Sequence, residues 1–349
     1  MPGADGGDRV NRRWLMAARP DGNVRPSDFA LDETPVPPLA DGQILVATDY
    51  LSVSPVMRHY MLRAAAGEPA LEVGQVMRGR GVGTVLDSRH PGFAAGDVVH
   101  GPLGWQTHAV LAPTPKTLLF TVRQRVAPIS TAIGVLGMTG YSAWFGFHDI
   151  GRPKAGDTVV VSGAAGGVGS VVGPLAKIAG CRVIGIAGGA EKCRLLTGRL
   201  RYDAAIDYRN EDVDARLAAL CPSGIDIYFD NVGGRILDTC LGQIARKGRV
   251  VMCGRISEYL DGPLPGLANY HLVGTRNARM EGFFVYDYAD RFAEAEARMA
   301  AWVASGELPY VEDRLGGFER MPEALAGLYE GTNLGKRIVA VSERALAGA

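Results

Sequence analysis

Between Ser162 and Gly169 the chain reads Ser-Gly-Ala-Ala-Gly-Gly-Val-Gly, directly after a β-branched run, Thr158 to Ser162. Ala164, Gly166 and Gly169 fall on the spacing G-x-G-x-x-G, with Ala164 in place of the first glycine. Each position has a steric job in that pattern. The first makes a tight turn, Gly166 lets main chain approach a diphosphate, and Gly169 lets a helix pack closely on the strand. The helix start then offers N–H groups and a positive dipole end to anionic oxygens. The chemistry these residues can do is binding: holding a dinucleotide so that its reactive end is positioned. A second place refines which dinucleotide. An acid at the end of the next strand would meet a ribose 2′-hydroxyl. Here Ile186 is followed by Ala187-Gly188-Gly189-Ala190, with no acid at the tip. That favours a 2′-phosphorylated dinucleotide.

Such residues need a strand–turn–helix frame, and the chain repeats one. From about residue 131, candidate strands Thr158–Ser162, Arg182–Ile186, Ala204–Ile206, Asp226–Asp230, Arg249–Cys253 and Arg279–Val285 alternate with helical stretches. This is the rhythm of a doubly wound parallel sheet. Residues 290–305 read as an amphipathic helix. Pro174, inside the helix after the glycine-rich run, should remove one hydrogen bond or kink that helix. Residues 14–130 differ: they are rich in Pro and Gly, with short β-like runs Gln43–Thr48, Gly81–Leu86 and Asp97–His100. That pattern fits a β barrel-like domain. Short β-like runs return from Leu308 and are expected to rejoin it. The reading is α/β, with a β-rich domain from 14–130 and 308–349, a dinucleotide-binding domain from 131–307, and a disordered lead-in over 1–13.

The 349 residues carry 37 Lys+Arg and 37 Asp+Glu, a formal net charge of zero. With no long charged run, nucleic acid or an anionic membrane surface is a poor partner. No apolar stretch approaches the roughly 20 residues that span a bilayer, and MPGADGGDRVNRR lacks the apolar core of a secretory signal. The five cysteines, Cys181, Cys193, Cys221, Cys240 and Cys253, contain no C-x-x-C. Cys181, Cys221 and Cys253 sit at edges of apolar runs and read as free buried thiols of a reducing cytoplasm. No Cys/His cluster has zinc-ligand spacing, so no metal is expected.

The motifs LGMTGYSAW (136–144), SGAAGGVGSVVG (162–173), YFDNVGG (228–234), GRVVMCGRISEY (248–259), RMEGFFV (279–285) and GTNLGKRIV (331–339), with SVSPVMR (52–58), spread over nearly the whole chain. Together they resemble the zinc-free branch of the medium-chain dehydrogenase/reductase superfamily. Within it they are most similar to the leukotriene B4 12-hydroxydehydrogenase / prostaglandin reductase / alkenal double-bond reductase group. The resemblance implies a GroES-like β-rich catalytic domain, built from both chain ends, around a doubly wound Rossmann domain. It implies hydride transfer from NADPH to the β-carbon of an activated C=C bond in a small α,β-unsaturated substrate. Zinc alcohol dehydrogenases of the superfamily carry Gly-His-Glu in the first domain; Arg78-Gly79-Arg80-Gly81-Val82-Gly83 has neither His nor Glu. Carried over residue by residue, the cofactor contacts are Thr139, the turn Ala164, Ala165, Gly166, Gly167, Val168 and Gly169, then Asn231, Cys253, Gly254, Ile256, Ser257, Tyr259, Phe283, Phe284, Val285 and Asn333. Lys192 and Tyr208 match the family lysine and tyrosine at the 2′-phosphate. A homodimer is implied too, and the apolar edge run at Phe283–Val285 is a hazard unless paired or covered.

Conjugate reduction needs an oriented hydride donor, a donor to the carbonyl oxygen as charge develops, and a proton source. Tyr259 matches the motif tyrosine near the nicotinamide ribose and is the first candidate for that network. Two positions depart from the family pattern. Thr275 stands where many relatives have a pocket tyrosine, and Val56-Met57-Arg58 stands where many read around a second one. Thr275 is therefore a catalytic-position candidate. Val56, Met57, Arg58 and Tyr270 are candidate pocket residues, with Tyr60, Tyr286 and Tyr288 as possible substitutes for the missing rings. The alternatives are an NADP-dependent quinone reductase or alcohol dehydrogenase, and a catalytically weak cofactor-binding protein.

Overall fold

A computed structural model describes residues 9–62, 69–123, 126–259 and 266–347. The chain divides into two compact units. One comprises Met1–Ile133, Asp313–Thr332 and Arg337–Ala349; the other comprises Gly134–Glu312 and Asn333–Lys336. No described helix is long and apolar enough to cross a membrane.

The first unit is built on a seven-stranded sheet. Its central strand, Ile44–Ser52, pairs antiparallel with Gly81–Ser88, with His108–Leu111 and with Lys336–Ala340. Nearly every residue of that strand is buried, because both of its faces are covered. A core of Met16, Leu51, Met57, Met61, Met77 and Trp105 lies to one side, and Trp105 stacks on Phe29 with centroids 5.4 Å apart. His100, on strand Val98–Gly101, is 3% exposed, and burial with the nearby Arg80 holds its imidazole down at about 3. A two-stranded ribbon, Val10–Met16 with Phe29–Pro35, completes the unit. Residues 10–13 are thus ordered, against the expectation of a lead-in up to residue 13; residues 1–8 lie outside the described residues. The ladder from Val10↔Pro35 to Met16↔Phe29 is what orders them.

The second unit holds six strands: β1 (Thr158–Ser162), β2 (Arg182–Ala187), β3 (Ala204–Asp207), β4 (Ile225–Asp230), β5 (Ile244–Met252) and β6 (Arg279–Gly282). All pairs are parallel, in the order β3-β2-β1-β4-β5-β6. Val159, Val160, Val161, Ile184 and Phe229 are fully buried, as expected of strands covered by helices on both faces. The order reverses between β1 and β4, and a parallel sheet opens a crevice at that point beyond its carboxyl edge. Two strand boundaries differ from the sequence reading by more than one residue. β5 begins at Ile244 because Ile225 pairs with Ile244, across an irregularity before Ile227↔Arg249; the polar Arg246-Lys247 step hides this in the sequence. β6 ends at Gly282 because its partner ends with it, at Met252↔Gly282, leaving Phe283 to Val285 without a ladder. Helix α1 (Gly169–Ile178) runs on through the buried Pro174, so the proline does not end it. The stretch read as 290–305 is the helix Phe292–Ser305.

Candidate cofactor site

The carboxyl ends of six parallel strands share one edge, so the segments that follow them are neighbours. The segment after β1 is the glycine-rich turn. Gly163, with φ +55°, makes the tight turn. This corrects the sequence assignment of that job to Ala164, which is fully buried and donates its N–H to Ile186 O of β2 at 3.1 Å. A side chain at Gly163 would be strained whatever its size. A Cβ at Gly169 would stand 2.6 Å from Ala164 Cα, so α1 packs on the turn only with glycine there. Ser170 N–H donates to Gly166 O, and Val171 and Val172 N–H to Val168 O, each at 3.0 Å, while Gly166 N–H donates to Gly163 O at 2.9 Å; Gly167, Val168 and Gly169 N–H are the donors of this stretch not used within it. Asn333–Lys336 lies alongside: Gly335 N–H donates to Ala165 O at 2.8 Å, Gly335 bridges Gly166, and Asn333 Nδ2 donates to Gly335 O at 3.0 Å. Asn333, 8% exposed, thus shapes the strip against the turn. Thr139 is brought to the same place: a Cβ at Gly167 would lie 3.3 Å from Thr139 Cγ2.

The segments after β2 and β3 form a basic rim. Asp207, at the end of β3, accepts from Gly189 N–H at 2.7 Å, Arg209 N–H at 3.1 Å and Asn210 Nδ2 at 2.8 Å. The Gly189 bond does most to hold its carboxyl below the usual range. With the turn so tied, a Cβ at Gly188 would meet Tyr208 Cε1 and Arg209 Nε, each at 2.9 Å. Tyr208 is 48% exposed, and Arg209 Cζ lies 5.9 Å from its ring centroid. Lys192 is half-buried in the first turn of the helix Ala190–Thr197. Lys192, Tyr208 and Arg209 therefore gather around a strand end with no acid at its tip. Arg209 was missed in the sequence; its adjacency to Tyr208, on a strand-end turn, was the available signal.

The segment after β4 is organised by a buried acid. Asp230, 1% exposed, accepts from Ser162 Oγ at 2.9 Å, Tyr228 Oη at 2.7 Å, and Val232 and Gly233 N–H at 3.0 Å. Burial still pushes its carboxyl up. Asn231 is pinned by its Nδ2 to Ser162 O at 2.8 Å and by its N–H to Ser162 Oγ at 3.0 Å. The segment after β5 then lies against this turn. Cys253 and Gly254 N–H donate to Asp230 O at 2.9 and 3.0 Å, Ile256 N–H to Asn231 O at 3.3 Å, and Ser257 N–H to Val232 O at 3.1 Å. Burial, with Asp230 nearby, pushes the Cys253 thiol up to about 12, so it is no nucleophile at neutral pH. Tyr259 is half-buried with Arg255 Cζ 5.8 Å from its ring centroid, and burial raises its phenol. After β6, Phe283 packs where a Cβ of Gly146 would be, while Phe284 is 45% exposed.

Two sequence candidates of this unit, Thr275 and Tyr270, do not join this edge, and two of the first unit, Met57 and Arg58, are interior to it. Thr275 closes the short helix His271–Thr275 and is exposed. It precedes β6, which runs parallel to β5, so it stands at the amino edge of the sheet, away from the turns. Tyr270 is 67% exposed, with its ring edge-on to His271. Met57 is 3% exposed within the core of the first unit. Arg58 is fully buried, with Nε donating to Gly22 O at 2.7 Å. Both side chains are committed to the interior of their unit, and Val56, at the start of helix Val56–Leu62, is left half-buried. Among the described residues, no group of three His, Cys, Asp or Glu could hold a metal ion.

A 3-2-1-4-5-6 parallel sheet with a glycine-rich turn at its reversal point and a basic rim at the second strand defines a dinucleotide-dependent oxidoreductase scaffold. Residues 12–119 match the family described as the N-terminal domain of oxidoreductase, and residues 167–302 match the family described as zinc-binding dehydrogenase. The chain is 39% identical over 338 residues to an NADPH-dependent curcumin reductase of Escherichia coli (strain K12), across 95% of this chain and 97% of that one. It is 37% identical over 337 residues to a 2-alkenal reductase (NADP(+)-dependent) of Nicotiana tabacum, across 95% and 98%. CurA from Vibrio vulnificus, solved in complex with NADPH, matches with TM-score 0.89 at 38% identity, across 95% and 99%. The chain belongs to the zinc-free reductase group of the medium-chain dehydrogenase/reductase family.

Proposed function

We propose that this chain reduces a carbonyl-activated C=C bond of a small enone or enal with NADPH as cofactor. The observation that carries the reading is the full-length match to NADPH-dependent double-bond reductases, and the lack of an acid within Ile186–Ala190, with Lys192, Tyr208 and Arg209 beside that segment, agrees with the cofactor. When bound, NADPH supplies the hydride. The N–H groups of Gly167, Val168 and Gly169 would hold the diphosphate, and Lys192, Tyr208 and Arg209 would hold the 2′-phosphate. Asn231, Asn333, Thr139, the segment Cys253–Tyr259 and Phe283–Val285 orient the adenosine and nicotinamide ends. A phenol above its usual range stays protonated at neutral pH, so Tyr259 donates a hydrogen bond into the network that supports the carbonyl oxygen.

The first unit, Met1–Ile133 with Asp313–Thr332 and Arg337–Ala349, carries the substrate side, where Val56 is the pocket candidate that remains. The protein works without a metal, as a homodimer paired through the β6 edge, in the cytoplasm. A rate scan of NADPH consumption across enals, enones and quinones, with secondary alcohols plus NADP+ in reverse, tests the reading. Turnover of enals or enones above the other classes is expected. Quinone or alcohol turnover alone would overturn it.

A further inference from the structure

Lys336 is 6% exposed, an unusual place for an ammonium, because a buried charge is costly unless something compensates it. Its position is specified from three sides. Its own N–H donates to Val311 O at 2.9 Å, and the residue before it, Gly335, is hydrogen-bonded to the glycine-rich turn at Ala165 O. Its side chain lies over Gly167: a Cβ there would meet Lys336 Cδ at 3.1 Å. The lysine stem therefore packs on Gly167, in the turn assigned above to the diphosphate. The ionisable groups around it are few. The turn 163–168 and the helix start Met138-Thr139-Gly140 carry none, and Glu312 is the carboxylate that acts on it. Burial outweighs Glu312 and holds the ammonium down at about 7.

We propose that Lys336 is the charge-bearing member of the diphosphate site: it takes up a proton when the dinucleotide binds the glycine-rich turn, and the resulting ammonium helps retain the anion. This rests on the reading of that turn as the NADPH site. In the free protein above neutrality Lys336 is largely a neutral amine. An approaching diphosphate favours the charged form, so the proton comes from the buffer. The 2′-phosphate is fully ionised well above its second pKa of about 6 and cannot account for uptake at about pH 8.

The test is calorimetric titration of NADPH into the intact protein at about pH 8, in buffers of differing protonation enthalpy. The dependence of observed heat on buffer gives the protons taken up per site. Wild type is expected to take up close to one. Lys336→Met should abolish the uptake and weaken NADPH about tenfold to a hundredfold, the range for a charged hydrogen bond. Lys336→Arg, charged throughout, should abolish the uptake while keeping affinity within a few-fold. No uptake by wild type, or the same uptake in either variant, overturns the proposal and leaves Lys336 as a structural partner of Glu312. The absence of saturable NADPH binding would instead overturn the cofactor reading beneath it.

Discussion

Two polar clusters stand at the same edge of the parallel sheet and differ in almost every respect. Around Gly188, Lys192, Tyr208 and Arg209 are partly or largely exposed and basic. Around Asp230, an acid is 1% exposed and ringed by four donor groups from Ser162, Tyr228, Val232 and Gly233. The first has partly or largely exposed side chains, proposed above to meet the 2′-phosphate. The second is closed, because its acceptor is satisfied internally and its donors have nowhere else to point. The contrast separates what binds from what holds the binder in place. Asp230 and the turn after it fix Asn231 and the strip Cys253–Ser257, the residues proposed above to meet the cofactor.

Breaking the closed cluster should have the largest effect. Asp230→Ala orphans two hydroxyls and two main-chain N–H groups and should cost at least about 4 kcal/mol of stability, at about 1–3 kcal/mol per unsatisfied buried group. Thermal and denaturant unfolding will measure it. NADPH and NADH affinities should fall together, because the scaffold and not a phosphate contact is lost. A wild-type unfolding midpoint would show that Asp230 does not organise the turn.

Breaking the open cluster should leave folding alone and split the two cofactors. Lys192→Ala should weaken NADPH by about 1.5–3 kcal/mol, the worth of a charged hydrogen bond, with NADH nearly unchanged and the same unfolding midpoint. Arg209→Ala should act in the same direction, and equal losses for both cofactors in either variant would remove the 2′-phosphate assignment. Pairwise cofactor titrations against each variant are the measurement.

Acid should separate the same two kinds of group. His100 is buried and neutral, held at about 3 in the fold against 6.5 when exposed. Between those values the unfolded chain binds a proton that the folded chain does not, so stability falls as pH drops from about 6.5 toward 3. His100→Leu should flatten part of that slope in unfolding midpoints taken across the range. The smallest effect is expected at Thr275, exposed at the opposite edge: Thr275→Tyr should change stability by less than about 0.5 kcal/mol and leave enone turnover at the wild-type rate. A marked rise in turnover would mean that the residue reaches the substrate after all.

The sequence by itself determined whatever depends on neighbours along the chain. Thr158–Ser162 is a strand because a β-branched run suits a covered sheet. Its order before SGAAGGVG and a helix, the missing acid after Ile186, and six strands with crossovers were all readable from local residue types and spacing. Tertiary structure decided whatever depends on which distant segments meet. That Gly163 turns rather than Ala164 follows from α1 packing back on the turn. That Arg209 stands beside Gly188 follows from β3 pairing with β2. Arg58 is interior because a carbonyl at Gly22 takes its guanidinium, and Thr275 is remote because β6 runs parallel to β5. Lys336 reaches Gly167 across nearly half the chain. In each case the deciding contact joins residues brought together by strand pairing and helix packing, and no periodicity along the chain records which partners those will be.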